Sequence, residues 1–199
     1  MNWESTLSLL GRVFADAFKR NPVVSVPDIP QSAEALLVLA LEKALGRPIL
    51  WVAPGEKALE INHANLLALC SNKSTANRIL YYPAWESLPK PAGAEDPETC
   101  GDRLGVSFRL LNRREPLIVA TCVQALMQRT IPPDKLQAES LAINLGDEID
   151  RDEAVRRLES IRYRFGPQVV AKGQASLRGG LLDAWPITED WPVRIEFEG

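Results

Sequence analysis

The chain has 199 residues, 46% of them hydrophobic, and a formal net charge of −3. That length supports one sizeable core, or one core with a small second domain, and the charge gives no global basic excess of the kind that marks a nucleic-acid binder. Three separated cysteines (Cys70, Cys100, Cys122) with no CxxC pair, and one histidine, His63, argue against a zinc site and a disulfide framework and fit a reducing cytoplasm.

The N-terminal segment MNWESTLSLLGRVFADAF spaces Trp3, Leu7, Leu10, Phe14 and Phe18 as an amphipathic helix, and Glu4 and Asp16 set it apart from a secretory signal. PVVSV (22–26) is expected as a short strand. A helix follows over 32–45, with Ser32 as N-cap and Gly46 as C′ residue. Its apolar run ALLVLAL (35–41) is too short to span a bilayer, so no membrane role is expected. PILWVAP (48–54) reads as a buried strand. The next helix, 56–70, places Leu59, His63, Leu66 and Leu67 on one face, and His63 there is a packing residue rather than a base. RILYYPA (78–84) is a strand, and 85–99 a loop rich in Pro, Ala and Glu. Residues 102–112 are helical through Leu104, Phe108 and Leu111. PLIVAT (116–121) is a strand that leads into a helix at 123–128.

Continuous apolar strands alternating with amphipathic helices predict a parallel sheet covered on both faces, an α/β domain within residues 1–129. The adjacent prolines of TIPPD (130–134) mark a boundary. Beyond it, a helix over 151–161 opens with Asp150 and Glu153 as a capping box. QVV, SLRGGLLDAW and VRIEFE read as antiparallel strands, making a small α+β domain over 130–199. The chain stops on VRIEFEG without a closing element, which reads as a fragment of a longer protein and leaves the completeness of the small domain open.

An α/β layer invites a search for a phosphate loop. GxxxxGK[ST] would be expected after the first strand, where VPDIPQSAEALL (26–37) has no glycine and no lysine. Pro27 and Pro30 remove donors there, and Asp28 repels phosphate. GQASLRGG (173–180) matches no phosphate motif and runs into a strand, not a helix N-terminus. Neither nucleotide binding nor catalysis is expected of this chain.

Several segments carry a family resemblance: YYPAWESLP (81–89), GDRL (101–104), IVATCVQALMQR (118–129), LGDEIDRDEAVRRLESIRYR (145–164), GQASLRGGLLDAWP (173–186) and WPVRIEF (191–197). In this order they resemble the N-terminal UvrB-homology module of bacterial transcription-repair coupling factors. The resemblance implies a helicase-like α/β domain with a degenerate nucleotide site, then a small domain like the UvrA-binding domain of UvrB. It implies recruitment of UvrA to lesions where RNA polymerase has stalled. RNA polymerase, double-stranded DNA, ATP and magnesium would be handled by other domains of the full-length family protein, in the cytoplasm. The implied contact residues are Arg164 and Arg178, with Arg162, Phe165, Gln174, Gly179 and Trp185 as neighbours. The run Ala184-Trp185-Pro186 departs from the family, which has a branched residue and then Phe or Tyr before the proline.

Charge gives partly independent support. Residues 151–178 hold seven basic and three acidic residues, a local excess of four in an acidic chain. Arginine offers a rigid donor fork for carboxylates and is common among interface hot spots. Gly179 and Gly180 would turn the backbone and display Arg178. A plainer reading makes Arg162 and Arg164 solvated strand residues and the glycines a bulge. Two other functions remain open: a UvrB-like ATP-dependent, DNA damage-binding enzyme, and an autoinhibitory module that masks the partner surface.

Overall fold

The computed structural model describes residues 3–70, 72–85, 96–112 and 115–198. Two hydrophobic clusters organise the described residues, and the chain divides accordingly. One unit takes the described residues up to 85 and those from 109 to 129; the other takes 96–108 and 130–198. Residues 96–108 therefore group with the second unit, not with the α/β domain expected over 1–129.

The first unit opens with α1 (Trp3–Arg20) and α2 (Gln31–Leu45), which pack closely through Gly11. A Cβ on Gly11 would lie 2.5 Å from the Ala40 carbonyl oxygen. Gly46 ends α2 in the left-handed conformation, and its N–H donates to Glu42 O at 3.0 Å. The helix begins after Pro30, without a side-chain cap from Ser32. Residues 22–26 form no strand: Pro22 and Pro27 bracket them, Val23 is 75% exposed, and no neighbouring strand pairs with them.

The strands here are β1 (Ile49–Ala53), β2 (Ile79–Tyr82) and β3 (Ile118–Cys122), all parallel in the order β1-β3-β2. Helices α3 (Glu56–Ala68) and α4 (Lys73–Ala76) lie between β1 and β2 in sequence, and α6 (Val123–Met127) follows β3. Central β3 is buried at all five positions, as its unbroken apolar run predicts. Strand β1 lies at the sheet edge with Leu50 57% and Val52 40% exposed, so the expected cover on both faces does not extend to it. On α3 the buried residues are Leu59, Asn62 and Leu66, while Leu67 is exposed. Asn62 tolerates burial because its amide donates to Glu34 Oε2 and its carbonyl accepts from Gln31 Nε2, both at 3.3 Å.

Helix α5 (Pro97–Leu111) starts five residues before the expected Asp102. Asp96 caps it, with Oδ2 accepting the Thr99 N–H at 3.0 Å and the Thr99 hydroxyl at 2.9 Å. Its buried residues are Gly101, Arg103 and Val106, not the Leu104, Phe108 and Leu111 stripe.

In the second unit, α7 (Pro133–Ala138) carries proline at its start, and α8 (Arg151–Ser160) is capped by Asp150, whose Oδ1 accepts the Glu153 N–H at 2.8 Å. Glu153 pairs with Arg156, so the cap runs one way only. The sheet has the order β4-β5-β6-β7, built from β4 (Arg164–Phe165), β5 (Gln174–Arg178), β6 (Leu181–Ala184) and β7 (Val193–Glu196). β4 pairs parallel to β5, and the other pairings are antiparallel. QVV (168–170) forms no strand; the pairing is made upstream by Arg164 and Phe165.

Candidate functional site

Register assigns each residue of the second sheet to a face, because residues paired across strands share a side. Phe165, Ala175, Leu182, Ala184 and Ile195 face the core, against Ala154 and Leu158 of α8. The other face carries Arg164, Gln174, Ser176, Arg178, Leu181, Asp183, Arg194 and Glu196, with Ser176 buried there and its hydroxyl donating to Pro167 O at 3.2 Å. Period-two alternation thus brings the two leading arginines onto one surface. Arg164 lies one strand across and four residues along from Arg178, about 14 Å away by strand geometry.

The turn that displays Arg178 is a two-residue hairpin. Arg178 and Leu181 pair across it, Gly179 has φ +60°, and Gly180 has no positive φ. A positive φ at the first central position alone is the type II′ pattern, which suits the twist of the flanking strands.

Asp183 lies at the centre of this face, paired with the buried Ser176. Arg194 donates to it through Nε to Oδ1 at 2.6 Å and Nη2 to Oδ2 at 2.9 Å, and Arg178 Nη2 reaches Oδ2 at 3.1 Å. These bonds, first those of Arg194 and then those of Arg178, hold the Asp183 carboxyl below the usual carboxylate range. Both arginine side chains stay more than half exposed, while that of Asp183 is 15% exposed beneath them. Arg194 is absent from the sequence-based set. Its signal was the polar position in VRIE that falls opposite Asp183, legible only once the register is known.

The remaining expected residues divide. Gln174 shares the arginine face, and its Oε1 accepts from the Val170 and Ala171 amides at 2.9 and 3.2 Å. Phe165 is on the opposite face, half-buried against the core, so its ring supports the sheet from within. Arg162 is exposed in the left-handed conformation just past α8, φ +74°. Trp185 follows β6, half-buried, and its Nε1 donates to Glu189 O at 3.2 Å.

The local basic excess is smaller in space than along the chain. Arg151 pairs with Asp152, Arg156 with Glu153, Lys172 with Glu98 and Arg178 with Asp183. Arg157, Arg162 and Arg164 have no carboxylate partner among the described residues.

The first unit has its own notable site, at the carboxyl ends of the parallel strands, where open α/β sheets hold ligands. With no strand at 22–26, the first strand-to-helix turn is not VPDIPQSAEALL but APGEK, Ala53 to Lys57. It contains a glycine and a lysine yet still lacks GxxxxGK[ST]. Glu56 opens α3 there. Its Oε1 accepts from the Tyr81 hydroxyl at 3.2 Å, and its Oε2 from the Cys122 thiol at 3.2 Å and the Ala84 amide at 3.4 Å. Burial, together with this carboxylate, pushes the Cys122 thiol up. Nearby, Gln128 clamps the backbone of Trp85, accepting its N–H at 2.7 Å and donating to its carbonyl at 3.1 Å. This links the YYPAWESLP and ALMQR segments within one unit.

Comparison with known proteins follows the same segments. Residues 141–199, which include all four strands of the second sheet, match the UvrB interaction domain family. Over 195 residues the chain is 32% identical to the transcription-repair-coupling factor of Myxococcus xanthus, covering 95% of this chain and 16% of that protein. The chain is a homologue of the transcription-repair-coupling factors. A second member, from Bacillus subtilis, is 30% identical over 83% of the chain and 14% of its own length. The UvrABC system protein B of Streptomyces coelicolor is 28% identical over 78% of the chain and 23% of its own length. The chain thus spans about a sixth of the length of the coupling factors it matches. Among the described residues, no helix is long and apolar enough to cross a membrane, and no cluster of three or more His, Cys, Asp or Glu could hold a metal ion.

Proposed function

We propose that this chain serves transcription-coupled DNA repair by recruiting UvrA through the outer face of the β4–β7 sheet. The observation that carries this reading is the convergence of Arg164 and Arg178 on that face, within the segment matched to the UvrB interaction domain family. Exposed arginine forks on a rigid sheet suit carboxylates on a partner. In this reading RNA polymerase, double-stranded DNA, ATP and magnesium belong to other parts of longer cytoplasmic proteins of this kind. The chain itself hydrolyses no nucleotide. In support, Glu56 brings a carboxylate to the strand-to-helix turn where phosphate would bind, and that turn lacks the phosphate-loop motif.

The test is a titration of the chain against UvrA, with Arg164→Glu and Arg178→Glu variants checked for folding by circular dichroism. Each folded variant is expected to lose about 2 kcal/mol or more, roughly 30-fold in affinity. A folded wild-type chain that fails to bind UvrA would overturn the recruitment reading.

A further inference from the structure

We infer that Asp183 is a positioning residue: its carboxylate aims the Arg178 guanidinium outward from the sheet for a partner's carboxylates, an inference that rests on the recruitment reading above. Arg194 grips Asp183 with two parallel bonds, at 2.6 and 2.9 Å, which fix the carboxylate. Arg178 stands diagonally across from it and spends one donor, Nη2, at 3.1 Å. The rest of its five-donor fork stays available to a partner, and the side chain is 59% exposed. By contrast, Arg164 has no ion-pair partner among the described residues.

Two effects of opposite sign meet here. A carboxylate among arginines lowers the positive potential, which weakens attraction for an acidic partner. It also restricts a long exposed side chain before binding, which removes an entropic cost from association. The geometry favours the second. Asp183 is already held by Arg194, so it constrains Arg178 without neutralising the face, which keeps three arginines against one central aspartate and the peripheral Glu196.

The experiment is a double-mutant cycle on the chain with UvrA as the probe, comparing wild type, Asp183→Asn, Arg178→Ala and the double variant. Asp183→Asn is expected to weaken binding about tenfold, and that loss should vanish in the Arg178→Ala background. Unchanged or tighter binding by Asp183→Asn, or a loss that persists without Arg178, would overturn the inference and leave recruitment standing. A wild-type chain that does not bind would sink both. Should Asp183→Asn fail to fold, ¹⁵N relaxation of the wild-type arginine Nε groups decides: Arg178 must be more ordered than Arg164, and equal mobility rejects the positioning role.

Discussion

At the scale of a residue, His63 gives the cleanest reading, because the chain has one histidine. It sits half-buried on α3 with its ring centroid 5.0 Å from that of Tyr81. Burial lowers its basicity, since the charged form loses hydration. The folded state therefore keeps the ring neutral to lower pH than the unfolded chain, which takes up a proton below about pH 6.5. The unfolded state binds more protons as pH falls, so stability rises with pH and is lost as pH drops from about 6.5 through the lower folded value. Asp102, whose carboxyl burial raises, contributes with the opposite sign, but equally in wild type and in a His63→Phe variant. Denaturant midpoints measured from about pH 7 to about pH 5.5 should fall for wild type and fall less for His63→Phe, which keeps the ring packed. Equal slopes would show that His63 is not the titrating group. The sequence had already placed His63 as a packing residue on the Leu59 face. It could not show Tyr81 as the partner, which comes from a strand 18 residues on.

At the scale of an element, α5 offers paired substitutions with opposite signs. A Cβ on Gly101 would lie 2.1 Å from the Ile187 carbonyl oxygen and 3.1 Å from its carbon, backbone atoms that cannot swing away. Gly101→Ala should destabilise the second unit by about 1–3 kcal/mol, the usual scale of overpacking. One turn on, a Cβ on Gly105 meets nothing closer than Thr188 Cβ at 3.9 Å. There the helix preference of alanine dominates, and Gly105→Ala should stabilise by about 0.5–1 kcal/mol. Thermal melts of the two variants test this, and equal shifts would mean the close approach at Ile187 is not tight in solution. The same helix shows what the sequence hid. Its start, Asp96 with Pro97 and Thr99, is a capping signal inside a stretch that composition marks as loop. The remaining misses share a cause: a short apolar run does not reveal its partners. PVVSV lacks a strand to pair with, and ILWVA lies at an edge where Leu50 and Val52 stay exposed. By contrast, β3 and the Asp150 cap were legible, because each depends on local pattern or on burial from both sides, whereas SLRGGLLDAW, read as one strand with its glycines as a turn or a bulge, divides into β5 and β6. Arg164 and Arg178 were found by resemblance, whereas their shared face, the inward Phe165 and the added Arg194 needed strand register.

At the scale of the whole molecule, charge separates a protein-binding surface from a nucleic-acid one. Residues 130–199 contain nine basic and thirteen acidic residues, so the arginine face stands on an acidic background. Of the seven cations counted along 151–178, four are already in ion pairs. Strong duplex binders neutralise about six to ten phosphates, and their affinity falls steeply with salt. Here Arg157, Arg162 and Arg164 remain without a carboxylate partner among the described residues, and the surrounding carboxylates repel a phosphate backbone at distances beyond the screening length of about 8 Å only weakly, but strongly within it. A labelled DNA duplex is therefore expected to show no binding tighter than the non-specific range of about 10⁻⁴–10⁻⁶ M, and none that survives about 200 mM salt. Fluorescence anisotropy measures this directly. Tight, salt-resistant binding would require a contact surface other than this sheet face. Arg164→Glu and Arg178→Glu would then leave DNA binding intact while still weakening the proposed contact with UvrA.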